Sequence, residues 1–403
     1  MAFRLYSTES GKAEDFEPNC LDEVRMYICG PTVYNVIHIG HARSYITFDI
    51  LRRWLEFSGY KVTHVQNFSD VEESITRKAR KLGISPEATA EKYTEEFFLD
   101  ADELNLRRAH EYPTFSESVP KMIDIIKDLI GSGVAYESGG DVCFRSDGGK
   151  KFGRLSHTDP RESVAGGFEL PEGREDPFDF VLWRKHREGE RFWDSPWGKG
   201  RPGWHVGCYA MSSSSLGECF DIHGGGLDLI FPHHESILLV SEAHTRMPVC
   251  NHFIHNSFVT LGRKKMSKSS GNFVTVRELT DKYGGGAVRF YGLKHHYRAI
   301  LDFDESDVEK SSEEYEDLKR KVEGLRSISG GNGSRSEEIS MRIEQAESRL
   351  EEAMNDDLHT DRALVALSEF VNWAHDGEDR FSKEDAEQVL QVVDRFDQVL
   401  GLF

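Results

Sequence analysis

The clearest hydrophobic pattern in the chain lies between Glu23 and Asn67. Arg25–Cys29 is a short apolar run that predicts a strand, and a turn containing Pro31 and Gly40 follows it. Tyr45, Phe48, Leu51 and Leu55 then recur at three- and four-residue spacings, which predicts a helix from about His41 to Phe57. Gly59 stops that helix, and Lys61–Gln66 alternates like a second strand. Strand, helix and strand in this order form a βαβ unit, the opening of a parallel nucleotide-binding sheet. Residues 86–135 predict two or more helices, and 136–200 a Gly- and Pro-punctuated insertion of short strands and loops. Phe220–Gly226 and His252–Thr260 resume the sheet, and Thr275 with Glu278 makes a capping box for a helix ending near Gly284. From about Glu305 the pattern is charged and helical, interrupted by the flexible stretch SISGGNGSRS at 327–336. Segments near 337–356, 361–375 and 383–401 complete a helical bundle. The expected fold class is α/β. Residues 1–135 and 201–304 form two halves of the core, 136–200 the insertion and 305–403 the bundle.

Composition narrows the classes. At 403 residues, 38% hydrophobic and 30% charged, the chain has material for a substantial core. Its first residues turn polar at once, and no stretch approaches the roughly 18–20 apolar residues of a membrane helix. Secreted and membrane-spanning classes are therefore excluded, and a cytoplasmic location is expected. A net charge of −20 excludes a general nucleic-acid coat but leaves room for a local basic patch that docks one RNA. Six cysteines dispersed over this length are not a disulfide framework; each is expected to be buried, reactive or metal-bound.

Three constellations bear chemistry. The turn from Gly30 to His41 leaves the first strand where ligands bind in a parallel sheet. Gly40 would let a ligand approach the backbone there, and His38 and His41 could donate to a phosphoryl group. Two histidines in a surface turn are the plainer alternative. Far downstream, Gly262–Asn272 carries Lys265 and Lys268 on a candidate mobile loop, suited to a triphosphate but equally to a solvated surface. Cys29, Cys208 and His233 offer two thiolates and an imidazole, a zinc donor set with one position left open. Their spacing alone is equally that of buried structural cysteines.

His-Ile-Gly-His at 38–41 and Lys-Met-Ser-Lys-Ser at 265–269 together resemble the two signatures of class I aminoacyl-tRNA synthetases. Further segments resemble the cysteinyl-tRNA synthetases in particular: Met26–Tyr34, Asp179–Trp183, Ser195–Gly198, Arg201–His205, Phe220–Gly226, Asp228–Glu235 and Ala353–Asp357. The resemblance implies a class I Rossmann-like parallel sheet with an insertion, followed by an α-helical bundle. It also implies ATP-dependent activation of L-cysteine to cysteinyl adenylate and transfer to tRNA(Cys). His38 and His41 would serve the α-phosphate, Lys265 and Lys268 the leaving pyrophosphate, and Gly40, Gly224, Gly225 and Lys268 would bind ATP with Mg2+. Thr32, Trp204 and Asp228 would line the substrate pocket, and Cys29, Cys208 and His233 would hold one Zn2+ that reads the substrate thiol.

The chain departs from the family pattern near that pocket. Ile237 stands where a glutamate supplies the fourth zinc ligand, Gly207 where glutamate is usual and Tyr209 where a small residue is usual. Two thiolates, one imidazole and the substrate thiolate still make a tetrahedral set, and Glu235 is expected to point away. Ser74 replaces a lysine after the second strand, and the chain stops at Val399–Phe403 without the family's anticodon-reading domain. The acceptor is thus open to a second reading, a cysteine ligase acting on a small amine and similar to the mycothiol-pathway enzyme. A non-catalytic paralogue is the third.

Overall fold

A computed structural model describes residues 2–159, 173–266, 273–327, 337–377 and 381–403. A hairpin of β1 (Arg4–Ser7) and β2 (Lys12–Asp15) precedes the first parallel strand, β3 (Glu23–Ile28), and its partner β4 (Lys61–Gln66). The insertion supplies β5 (Ala135–Ser138), β6 (Asp141–Phe144), β7 (Phe180–Lys185) and β8 (Gly200–Pro202), an antiparallel sheet in that order. The chain then returns through β9 (Phe220–Gly226) and β10 (Cys250–Asn256) to the central sheet. β11 (Val259–Leu261), β12 (Lys264–Lys265) and β13 (Leu301–Asp302) form a small separate sheet.

The central sheet runs β10-β9-β3-β4, parallel throughout. β3 has its sequence neighbour β4 on one side and β9 on the other, with Ile28 in register with Gly224. The strand order therefore reverses between β3 and β9. Their carboxyl ends open the crevice where ligands bind in open parallel sheets.

The helix Ile39–Phe57 connects β3 to β4 and buries Tyr45, Phe48, Leu51 and Leu55. It begins two residues before the start predicted at His41, because His38 caps it. Its opposite face is buried as well. Asp49 accepts hydrogen bonds from Arg53 Nε at 2.7 Å, Arg289 Nη2 at 2.5 Å and the Arg107 backbone N–H at 2.9 Å. Arg289, fully buried in the helix Gly285–Leu293, also donates to the Leu400 carbonyl at 2.7 Å. Arg53 reaches the Gln398 carbonyl at 3.5 Å, and Asn105 the Gly401 carbonyl at 2.9 Å. This node clamps the last helix, Lys383–Leu400, onto the nucleotide-binding core. Helices Glu305–Arg326, Glu337–Asn355 and Thr360–Asp376 complete the bundle, whose apolar residues merge into the core around the first helix.

Two expectations change. His252–Thr260 is not one strand, for the chain breaks at Asn256–Ser257, where the Ser257 N–H turns to the Tyr297 carbonyl at 2.9 Å. A helix at Glu73–Leu82 was not expected, and it buries only Ile75 and Ala79, too few to set a period. The stretch 328–336 lies outside the described residues. Among the described residues, no helix is long and apolar enough to cross a membrane.

Candidate active site and metal centre

A hollow of about 420 Å³ opens at the β3/β9 switch point, lined among others by Cys29, Thr32, His38, His41, Gly226 and Asp228. The two histidines fix each other. The His41 N–H donates to His38 Nδ1 at 3.4 Å, and the His38 N–H to His41 Nδ1 at 3.2 Å. Their rings lie 3.8 Å apart at 31°. A side chain at Gly40 would place its Cβ 3.0 Å from the His38 ring. Glycine here makes room for that ring as well as for a ligand. Both histidines thus stand at a helix N-terminus, where free N–H groups and the helix dipole favour an anion.

Behind Cys29 lies a buried cluster of five metal-ligating side chains: Cys29, Cys208, His223, His233 and His234. Cys29 Sγ is 3.9 Å from Cys208 Sγ, 3.8 Å from His233 Nε2, 3.5 Å from His223 Nε2 and 3.3 Å from His234 Nε2. Two donor triads share Cys29, one with Cys208 and His233 and the other with His223 and His234. Thiolates each about 2.3 Å from one zinc ion at a tetrahedral angle would lie about 3.8 Å apart. The Cys29–Cys208–His233 triad meets that requirement, so its residues fit a zinc ion.

The electrostatics suit a metal. The hydrogen bond from Cys29, with His233 alongside, holds the Cys208 thiol well below the ordinary range despite burial. The same bond and burial push Cys29 up, so Cys208 is the thiolate and Cys29 the donor of the pair. Burial drives His205, His223 and His234 well below the usual imidazole range, which leaves them neutral, the form that ligates metals. A chain of hydrogen bonds braces His234: its Nδ1 meets His255 Nε2 at 2.7 Å, and His255 Nδ1 meets the Thr8 hydroxyl at 2.7 Å. His205 Nδ1 lies 3.0 Å from His233 Nδ1, and the Trp204 ring stacks on His233 at 4.3 Å and 17°.

Comparison with known proteins decides the family. Residues 15–313 match the family described as tRNA synthetases class I (C) catalytic domain, and residues 349–403 match the DALR domain. The cysteine–tRNA ligase of Carboxydothermus hydrogenoformans is 43% identical over 373 residues, which span 92% of this chain and 80% of that protein. The chain belongs to the cysteinyl-tRNA synthetase family. The Desulforudis audaxviator cysteine–tRNA ligase is 42% identical over 414 residues, covering 99% of this chain and 86% of that one. Among solved structures, Mycobacterium tuberculosis methionyl-tRNA synthetase in complex with methionyl-adenylate superposes with a TM-score of 0.66 at 15% identity. That match covers 95% of this chain and 90% of the other and shares the class I fold.

Within this cysteinyl-tRNA synthetase scaffold the expected residues fall as follows. Cys29, Thr32, His38, Gly40, His41 and Asp228 converge on the switch-point hollow, and Cys208 and His233 stand behind Cys29. Gly224 and Gly225 do not line the hollow. A Cβ at 224 would meet Phe48 and Ile28, and one at 225 would meet Leu229 and His234, so these glycines serve close packing. Trp204, 44% exposed, lines a second hollow and not the switch-point one, while its ring stacks on His233. Lys265 pairs with Thr260 in β12, and Lys268 lies outside the described residues. Glu235 is turned to the backbone of residues 153–156 and not to the Cys29–Cys208–His233 triad. Its Oε1 accepts from the backbone N–H groups of Gly153, Leu155 and Ser156 and from the Ser156 hydroxyl, at 2.9–3.0 Å. Ile237 is fully buried in the apolar cluster that contains Cys29 and Cys208. His223, His234 and His255 were missed from the sequence. The doubled histidine at 233–234 was a signal for one of them, whereas His223 and His255 look like ordinary strand residues until β9 and β10 are paired.

Proposed function

We propose that the chain is a cysteine–tRNA ligase that works by the two-step chemistry of its family. L-cysteine attacks the α-phosphate of ATP through its carboxylate, giving cysteinyl adenylate and pyrophosphate. A terminal ribose hydroxyl of tRNA(Cys) then attacks the activated carbonyl and AMP leaves. The observation that carries this reading is the buried Cys29–Cys208–His233 triad at the edge of a nucleotide-sized hollow, in a chain 43% identical to a cysteine–tRNA ligase.

In this reading residues 1–135 and 201–304 build the catalytic core, 136–200 the insertion and 305–403 the bundle. Cys29, Cys208 and His233 would hold zinc, which when bound offers an open position selective for a thiol over a hydroxyl. His38 and His41 donate to the α-phosphate oxygens from the helix N-terminus as charge builds there. Lys265 and Lys268 neutralise the departing pyrophosphate, with Mg2+ accompanying the ATP. Thr32 and Asp228 orient the amino acid, while Gly40 keeps the His38 ring in place and Trp204 holds His233 by stacking. Rate comes from positioning and charge stabilisation without a covalent enzyme intermediate.

Ile237 in place of a carboxylate favours a second reading, in which a small amine accepts the cysteinyl group. Charging of total tRNA with labelled cysteine, ATP and magnesium separates the two. Cysteine esterified to one tRNA species supports the ligase. Cysteine-dependent AMP release with small amines and no charging overturns it.

A further inference from the structure

The turn between the helices Glu337–Asn355 and Thr360–Asp376 passes through two consecutive non-glycine residues in the left-handed region, Asp357 (φ 59°) and Leu358 (φ 58°). Leucine rarely adopts that conformation, so surrounding contacts must hold the turn in place. Both side chains are buried, and the Asp357 carboxylate gathers three donors from two distant parts of the chain. Its Oδ1 accepts from the Tyr6 N–H at 2.9 Å and from the Tyr297 hydroxyl at 2.6 Å. Its Oδ2 accepts from Arg298 Nε at 2.6 Å. The backbone adds two links: the Asp357 N–H donates to the Arg4 carbonyl at 3.1 Å, and His296 Nε2 lies 2.9 Å from the Asp357 carbonyl. A residue of the bundle thus holds residues 296–298 of the core by side chain and backbone together.

That same segment supports one wall of the switch-point hollow. Asn256, Ser257, Phe258 and Val259 line the hollow where the chain leaves the parallel sheet. The Ser257 N–H donates to the Tyr297 carbonyl at 2.9 Å, the Leu301 N–H to the Phe258 carbonyl at 3.1 Å, and the Phe303 N–H to the Thr260 carbonyl at 2.7 Å. Arg43, buried two residues beyond His41, caps the His296 and Ala299 carbonyls at 2.9 and 2.6 Å. Tyr297 therefore joins the two ends of one short path. Its hydroxyl is fixed by the bundle, and its carbonyl fixes the wall.

We propose that Asp357 is a positioning residue for ATP: through Tyr297 it sets the wall at 256–259, so that the bundle fixes the affinity of the nucleotide site. The proposal rests on the ATP-dependent reading above. It gives the costly backbone at 357–358 a purpose, since only this turn brings one carboxylate to Tyr6, Tyr297 and Arg298 at once.

The test compares Asp357→Asn, Tyr297→Phe, the double variant and Thr360→Val with the parent chain. The measurements are the Kd of ATP with magnesium, the KM values for ATP and for cysteine in pyrophosphate exchange, and the melting temperature. An amide at 357 can accept at only one of the two carboxylate positions, and Asp357→Asn should weaken ATP about tenfold, as loss of one charge-assisted hydrogen bond does. Tyr297→Phe should weaken ATP about threefold, and the double variant should be no worse than Asp357→Asn, because both changes break one path. The KM for cysteine should stay within about twofold, since Cys208 and His233 are carried by other elements. Thr360→Val deletes a neighbouring bond between bundle and core, from the Thr360 hydroxyl to the Leu293 carbonyl at 2.8 Å. It should lower the melting temperature and leave ATP within about twofold of the parent. An ATP Kd unchanged in Asp357→Asn and Tyr297→Phe overturns the proposal, as does an equal loss in Thr360→Val or a loss shared in step by ATP and cysteine. Should Asp357→Asn fail to fold, Tyr297→Phe decides alone. If the parent binds ATP but gives no cysteine-dependent exchange, the adenylation reading fails while the ATP Kd still decides on Asp357. A parent that binds no ATP overturns both.

Discussion

Replacing Cys208 with alanine probes the proposed metal centre at its most informative point. The two sulfurs lie 3.9 Å apart and Cys29 Sγ lies 3.8 Å from His233 Nε2, so the triad has close to tetrahedral spacing before any ion enters. Little binding energy is then consumed in reorganisation. Structural zinc sites gain about 10–16 kcal/mol from four protein donors, or roughly 3–4 kcal/mol for each. Removing one of three donors from a preformed site should therefore weaken zinc by on the order of 10²–10³ in Kd. Cys208 is also the partner already held toward thiolate, so its loss removes the stronger donor of the pair. The fold should tolerate the change, since only one buried sulfur is deleted. The assay is competition with a chromophoric chelator, followed by metal analysis and pyrophosphate exchange with cysteine and with serine. The parent should hold about one zinc per chain and exchange strongly with cysteine only. The variant should lose metal and cysteine-dependent exchange together. A variant that keeps one zinc per chain and the parent's KM for cysteine would refute the assignment of Cys208.

Three further outcomes are expected. Asp49→Ala strips the buried guanidinium of Arg289 of its carboxylate and should cost about 3–5 kcal/mol, read from the denaturant midpoint. Burial acts to raise the Asp49 carboxyl, but Arg289 and Arg53 outweigh it and hold it below the ordinary range. That stability is present above the unfolded pKa of about 3.9 and disappears as pH falls through the folded value. The gap between parent and Asp49→Asn should accordingly narrow in acid; a gap constant down to pH 2 would contradict this. Gly40→Ala should displace the His38 ring and lower kcat for activation at least about tenfold, the scale of one misplaced charge-stabilising donor, while thermal stability stays near the parent's. Gly207→Ala should overpack Phe115 and cost about 1–3 kcal/mol, and an unchanged melting temperature would mean that the ring yields.

The sequence was most legible where one residue type repeats against one surface. The βαβ unit followed from Tyr45, Phe48, Leu51 and Leu55 because that helix packs a continuous apolar face on the sheet. Thr275 and Glu278 announced their helix because both halves of a capping box lie within four residues. The helix Glu73–Leu82 stayed hidden because it rests on Ile75 and Ala79 alone. Mutual capping by His38 and His41 was also beyond reach, since histidine is not a favoured N-cap and the pairing depends on both ring orientations. The metal cluster was half visible. Cys29, Cys208 and His233 stood out through the family likeness, whereas His223 joins them only because β9 lies beside β3 with Tyr27 opposite His223. Asp357 belonged to a segment of family likeness, but its bonds to Tyr6 and Tyr297 were equally invisible, because they span 351 and 60 positions that no local pattern records.

The node around Asp49 also has a consequence for the order in which the molecule is made. The first helix of the nucleotide site carries Asp49 and Arg53, yet Arg53 and its neighbour Asn105 find partners among the carbonyls of residues 398–401. Those partners lie 345 positions after Arg53 and 296 after Asn105, and so leave the ribosome long after the helix does. Until then a growing chain holds a βαβ unit whose Arg53 lacks its final acceptor, and later a helix Gly285–Leu293 whose Arg289, destined for complete burial, still awaits the Leu400 carbonyl. The architecture on that side is thereby completed only once residues 398–401 are in place. A nascent or prematurely terminated chain would be marked by this incomplete seam, exposed to chaperones and proteases, well before any defect at the thiol pocket became apparent.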